Sequence, residues 1–205
     1  LFQIVFLYPD RKETDPVDGR KLRGDQRRQE LMTAGLSLVA TEGIEAVTHR
    51  AVAKACGVSV ASVTYHYPTV SELKSGIFGC AGDRALAAVE LAATSDAQGG
   101  DVTGLAGEFA RRFCREERDL TSTLLQLLTA AGRDETLRPV ADRLSRRAEN
   151  TLAAVVGADA APLIVAAIQG ILLRALSLGE AGPDWARDAT HTLISAFAVN
   201  RKTES

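Results

Sequence analysis

Between Thr48 and Tyr67 two complete helix start-and-stop signals fit into one short stretch, THRAVAKACGVSVASVTYHY. Thr48 stands where a hydroxyl caps a helix over 49–56, and Gly57 supplies the left-handed stop. Ser59 caps a second short helix, 60–66, and Pro68 sets its end because a residue before proline is driven out of the helical region. Ala51, Val52, Ala55, Val58 and Val63 supply the apolar positions that lock the pair, and the small Ala55 and Ala61 allow close approach. Two short helices joined by a tight glycine turn form a helix-turn-helix. In that unit the first helix buttresses, and the second presents its N-terminal side chains to base edges in a major groove.

The rest of the chain keeps the helical period. From Asp25, Leu31, Ala34, Leu38 and Val39 recur at three- and four-residue spacing, and Glu42-Gly43 closes this first helix. Thr69-Val70-Ser71-Glu72 matches a capping box and opens a fourth helix to about residue 93, with Leu73, Ile77, Cys80 and Ala81 on one side. The polar stretch 95–100 is the best boundary in the chain. Beyond it the spacing predicts helices over 102–118, 120–132, 135–156, 160–178 and 184–199, punctuated by Gly132, Gly157 and Gly179 to Pro183. No strand alternation or internal repeat interrupts the pattern, so the expected class is all-α.

The leading stretch, 1–19, looks foreign to this pattern. Its apolar run Leu1 to Tyr8 is too short to span a bilayer, and Asp15-Pro16 and Asp18-Gly19 read as turns. The expected division is an extension or remnant over 1–19, a helix-turn-helix domain over 20–80 and a helical domain over 81–205. No apolar run reaches the ~20 residues a membrane span needs, so no membrane partner is expected. Cys56, Cys80 and Cys114 are widely spaced, lack a C-x-x-C pair and lack metal-ligand spacing with His49, His66 or His191. That pattern fits a reducing cytoplasm and predicts neither a metal nor a cofactor.

The segment from Gln26 to Ile77 resembles the DNA-binding domain of the TetR family of bacterial transcription regulators. The resemblance rests on Arg27-Arg28, Glu42-Gly43, Thr48, Ala53, Gly57-Val58-Ser59, Tyr65-His66-Tyr67 and Glu72-Leu73. It implies a repressor that binds a double-stranded DNA operator as a homodimer and is released by a small-molecule effector. It also implies that the later helices form a ligand-binding and dimerisation region.

The residues expected at DNA follow from both readings. Ser59, Ala61, Ser62 and Thr64 lie at the exposed start of the second short helix, where short side chains reach phosphates or a thymine methyl. Thr48 and Arg50 sit at a helix N-terminus suited to phosphate. Tyr65 and His66 match family positions that contact the backbone or support the recognition helix. Two departures stand out, since the family commonly has Lys where Val70 stands and Tyr where Thr64 stands. Lys74, one turn on, is the candidate substitute. The basic run Arg20, Lys21, Arg23, Arg27 and Arg28 is expected to act as an arm toward DNA.

In the later helices the apolar content suggests a mainly hydrophobic effector. Candidate pocket residues are Phe78, Phe109, Phe113, Leu124, Leu128, Leu144 and Leu172, with Gln126, Asn150 and Gln169 as polar options. By the resemblance, the last two long helices pair with a second copy through Ala166, Ala167, Gly170, Leu173, Leu193, Ile194 and Phe197. Charge agrees with this division of labour. Residues 20–80 hold eight basic and five acidic side chains, net +3, whereas residues 81–205 hold fourteen and seventeen, net −3.

No nucleophile elbow, zinc-protease pair or phosphate loop supports an enzyme. Two rivals remain at this level. One is a redox-sensing regulator using Cys114, with Arg111, Arg112 and Arg115 lowering its pKa; the other is a helical scaffold that has lost DNA binding.

Overall fold

The computed structural model describes residues 16–96 and 101–203, and every regular element within them is helical. The apolar run Leu1 to Tyr8 and most of the 95–100 linker lie outside the described residues. Helix α1 (Pro16–Glu42) begins well before Asp25. Pro16 opens it where a missing donor costs nothing, so Pro16 to Gly19 are helix rather than turn. Arg20, Lys21 and Arg23 therefore ride on a helix and do not form an extended arm. Further along, α1 buries Leu31, Met32, Leu36, Leu38 and Val39. Each such side chain contributes about 1.5–3 kcal/mol when fully removed from water.

Gly43 ends α1 with φ of +86°, a conformation that strains any residue with a Cβ. A single 3-10 turn (Ile44–Ala46), which the apolar spacing does not signal, leads to Thr48. Helix α2 (His49–Cys56) starts as expected, with the Thr48 hydroxyl accepting from the Ala51 amide at 3.1 Å. Gly57, at φ +69°, stops it. Helix α3 (Val60–His66) is capped by Ser59, whose hydroxyl accepts from Ser62 N at 3.2 Å. Val52, Ala53 and Val63 are buried between the two. Ala55 and Ala61 are exposed instead of packed. At about 100° per residue, Val52, Cys56 and Ala53 fall on one arc and Ala55 lies outside it.

Helix α4 (Val70–Asp96) opens with the expected reciprocal box. Glu72 N donates to the Thr69 hydroxyl at 3.1 Å, and Thr69 N donates to the Glu72 carboxylate at 3.0 Å. Its 27 residues make a rod of about 40 Å that begins beside α3 and runs on into the body. The body is completed by α5 (Val102–Arg115), α6 (Arg118–Ala131), α7 (Arg138–Val156), α8 (Ala161–Ser177) and α9 (Gly182–Thr203). Arg118 opens α6 rather than closing α5, and α7 starts three residues late. There Asp134 Oδ1 accepts from Thr136 N at 2.9 Å and holds a turn.

Two features fix how these helices assemble. Gly107 lets α5 lie hard against α9, where an added Cβ would stand 2.9 Å from the Arg187 carbonyl oxygen. Arg147 of α7 reaches Asp83 at 2.8 Å and Glu90 at 2.9 Å, both on α4. The core does not break at residue 80. Leu31, Val63, Leu73 and Ile77 share one apolar cluster with Phe113 and Leu120 of the body. Among the described residues no single helix is long and apolar enough to cross a membrane.

Candidate nucleic-acid interface and interior cavity

The caps of α2 and α3 decide which side chains face outward from the helix-turn-helix. Ser59 and Ala61 are exposed at the start of α3, Ser62 is half-buried, and Tyr65 is 82% exposed. So exposed, the Tyr65 ring takes no part in the core. Thr48 and Arg50 are exposed at the start of α2. Thr64 is half-buried, and its hydroxyl donates back along α3 to the carbonyls of Ala61 at 3.2 Å and Val60 at 3.3 Å. The donor of this hydroxyl is thus committed within α3.

His66 stacks edge-on against Tyr65, with ring centroids 5.1 Å apart. Burial, and then the Arg28 and Arg27 charges, hold its imidazole below the ordinary value. Arg28 is exposed, while Arg27 also pairs with Glu30 at 2.6 Å. Lys74 departs from expectation. Its side chain is only 14% exposed and its ammonium stands 3.6 Å from the Glu45 carboxylate, so it faces the body and does not replace a lysine at Val70. His49, which the sequence does not single out for this role, bonds the Tyr67 carbonyl at 2.7 Å. Eighteen positions separate the two, so no local spacing could have revealed it.

Inside the body lies a cavity of about 220 Å³, walled by α4, α5, α6, α7, α8 and α9. Of the expected pocket residues, Phe109, Phe113, Leu124, Leu128, Leu144, Gln169 and Leu172 line it. Phe109 and Phe113 stand with ring centroids 4.3 Å apart. Three expectations fail. Phe78 is fully buried in a separate cluster with Leu127 and Leu137, because its position on α4 turns it toward α6 and α7. Gln126 lies in a surface depression with Ile44 and Lys74, its amide donating to the Val39 carbonyl at 3.4 Å. Asn150 is exposed, on the outer side of α7. Sequence reasoning missed the α4 wall, Gly82, Ala85, Leu86 and Val89, and also Thr190 of α9.

The expected pairing face is partly exposed. Ala166, Gly170 and Leu173 lie on the open side of α8 together with Leu163, which is 68% exposed, and Ala167 is half-buried. Leu193 and Phe197 are half-buried against the cluster holding Ile164. Ile194 is fully buried and lines the cavity, so it belongs to the protomer's own core and not to a partner face.

Cys114 does not fit a redox sensor. It is buried beside Ala110, Ala175 and Ala186, and burial pushes its thiol up, opposed only by Arg118. Arg111, Arg112 and Arg115 do not lower it; they are directed to acidic partners or solvent.

A family profile described as bacterial regulatory proteins, tetR family, matches residues 31–73. A second, described as tetracyclin repressor-like, C-terminal domain, matches residues 97–198, and the two span more than two thirds of the chain. No curated protein sequence matches it. Among solved structures, a TetR-family member from Streptomyces coelicolor A3 (SCO1917) is 29% identical with a TM-score of 0.71, over 82% of this chain and 98% of that one. The transcriptional regulator SCO7518 of Streptomyces coelicolor A3(2) is 25% identical with a TM-score of 0.74, over 84% and 98%. The multidrug binding protein EbrR, complexed with imidazole, is 28% identical with a TM-score of 0.68, over 82% and 94%. EbrR is also solved with ethidium.

Proposed function

The chain belongs to the TetR family of bacterial regulatory proteins, and on that footing we propose that it is a repressor released from its operator by a small, mainly apolar effector. Residues 20–80 read the DNA and residues 81–205 sense the effector. Ser59, Ala61, Ser62, Thr64 and Tyr65 contact the operator, and Thr48, Arg50, Arg27, Arg28 and His66 hold its backbone. Two copies paired through α8 and α9 span a pseudo-palindrome, each α3 in one major groove about one DNA turn from the other.

One observation carries the effector part of this reading. Helix α4 starts three residues after Tyr67 and, more than three turns along, supplies Gly82, Ala85, Leu86 and Val89 to the cavity wall. A molecule in the cavity therefore presses on the helix that seats α3. Ligand that favours one tilt of α4 shifts the population toward dimers whose recognition helices no longer match the groove spacing. The complexes of EbrR with imidazole and with ethidium support a small-molecule ligand in this fold.

Selection of sheared genomic DNA on the purified protein, followed by gel shift on the enriched fragments, tests the DNA part. A recurrent pseudo-palindrome is expected, and alanine at Thr64 and Tyr65 together should abolish its retention while leaving the helical circular dichroism unchanged. No enriched sequence, or full retention by the double variant, would overturn it.

A further inference from the structure

Among the described residues, the wall of the cavity contains no Asp, Glu, Lys, Arg or His. A charged ligand would enter without a counter-ion, and an isolated charge in an apolar site is strongly disfavoured. Attraction of a cation to the Phe109 and Phe113 faces offsets only part of that, since the two rings already lie against each other.

One polar group of the wall is both fully buried and without a hydrogen-bond partner among the described residues. Thr190, on α9, is 2% exposed, and its hydroxyl has no hydrogen-bond partner among the described residues. Other helical threonines bond back to the carbonyl four residues earlier, as Thr123 does to Asp119 at 2.8 Å and Thr192 to Asp188 at 2.8 Å. Thr121, also in the wall, donates to the Phe113 carbonyl at 2.7 Å. A buried hydroxyl left without a partner destabilises the protein until something in the cavity supplies one. The Gln169 amide, on α8, lines the same space.

We propose that the cavity takes a neutral, compact apolar molecule bearing one hydroxyl or carbonyl group, which hydrogen-bonds to Thr190 Oγ1, and that it rejects cations of the same shape. The cavity's 220 Å³ exceeds the roughly 150 Å³ that admits a benzene ring, so the ligand has on the order of ten non-hydrogen atoms. This ligand class rests on the reading of the cavity as the effector site.

Three molecules of matched shape separate the terms: 2-naphthol, naphthalene and the 1-methylquinolinium cation, titrated calorimetrically into the full chain. For the wild-type protein, 2-naphthol should bind at least about tenfold more tightly than 1-methylquinolinium and about fivefold more tightly than naphthalene. Thr190→Val keeps the shape of the side chain and should remove the advantage of 2-naphthol over naphthalene, leaving naphthalene itself unchanged. Thr190→Ser should keep that advantage, and Thr190→Ala, which also lacks the hydroxyl, stands in should the valine variant fail to fold. Equal or tighter binding of the cation overturns the neutral class. An undiminished 2-naphthol advantage in Thr190→Val overturns the anchor. Failure of all three to bind overturns both the ligand class and the cavity reading. The expected ranking without release of DNA supports the ligand class and overturns only the effector role.

Discussion

The imidazole Nε2 of His49 lies 2.7 Å from the carbonyl oxygen of Tyr67, tying the first residue of α2 to the residue that closes α3. A carbonyl oxygen only accepts, so Nε2 carries the proton and donates it. The Tyr67 ring in turn lies over Gly76 of α4, where an added Cβ would stand 2.7 Å from the ring. Recognition helix α3 is thus held at its start by Ser59 and at its end by His49. His49→Ala should lower stability by about 1 kcal/mol, the net worth of one such bond. In urea this means a lower midpoint with an unchanged slope, and a midpoint equal to that of the wild type would show that the bond contributes nothing.

His66 gives the head a predictable response to acid. Its folded pKa is lowered by burial and by Arg28 and Arg27, so the unfolded chain binds the extra proton first as pH falls. Stability from this group is complete above the unfolded value of about 6.5 and is lost as pH drops through it toward the folded value. His66→Gln, which cannot titrate, should flatten the fall in melting temperature between about pH 7 and pH 5. An identical pH profile in the variant would contradict the assignment.

The head was legible in the sequence because its signals are local. Thr48, Ser59 and the Thr69–Glu72 pair each act over three residues, and Gly43 and Gly57 declare themselves by needing positive φ. The cavity was less legible for a physical reason. Phe78 and Leu86 occupy the same helix with the same periodicity, yet one fills a core and the other borders empty space. That difference is set by the packing of the neighbouring helices, which no spacing within α4 encodes. Lys74 misled for a similar reason, since its partner Glu45 sits in a 3-10 turn that apolar spacing does not reveal. Ile194 carries the same apolar label whether it meets its own protomer or another copy.

Two glycines of similar appearance should respond oppositely to alanine. At Gly107 the new Cβ would meet the Arg187 carbonyl, a backbone atom that cannot rotate aside, so α5 and α9 must separate. Overpacking of that kind costs about 1–3 kcal/mol. At Gly24, within α1, the Cβ meets nothing within 4 Å, and the better helix former should stabilise by up to about 1 kcal/mol. Thermal unfolding of Gly107→Ala and Gly24→Ala should therefore move the midpoint down and up respectively. A rise for Gly107→Ala would mean that the two helices are not in close contact.

The open face of α8 carries the prediction for assembly. Leu163, Ala166, Gly170 and Leu173 recur at intervals of three, four and three residues, and Leu173 is 60% exposed. An added Cβ at Gly170 meets nothing within 4 Å, so the face is flat enough for a second helix to approach. Leu173→Glu would set like charges near the two-fold axis and remove apolar area, shifting the protein to monomers in light scattering at about 10 μM. Because each monomer holds a single recognition helix pair for one half-site, operator retention should fall more than tenfold, while the circular dichroism of the protomer stays unchanged. A wild-type protein that is monomeric at that concentration, or a Leu173→Glu variant that stays dimeric, would place the interface on another face.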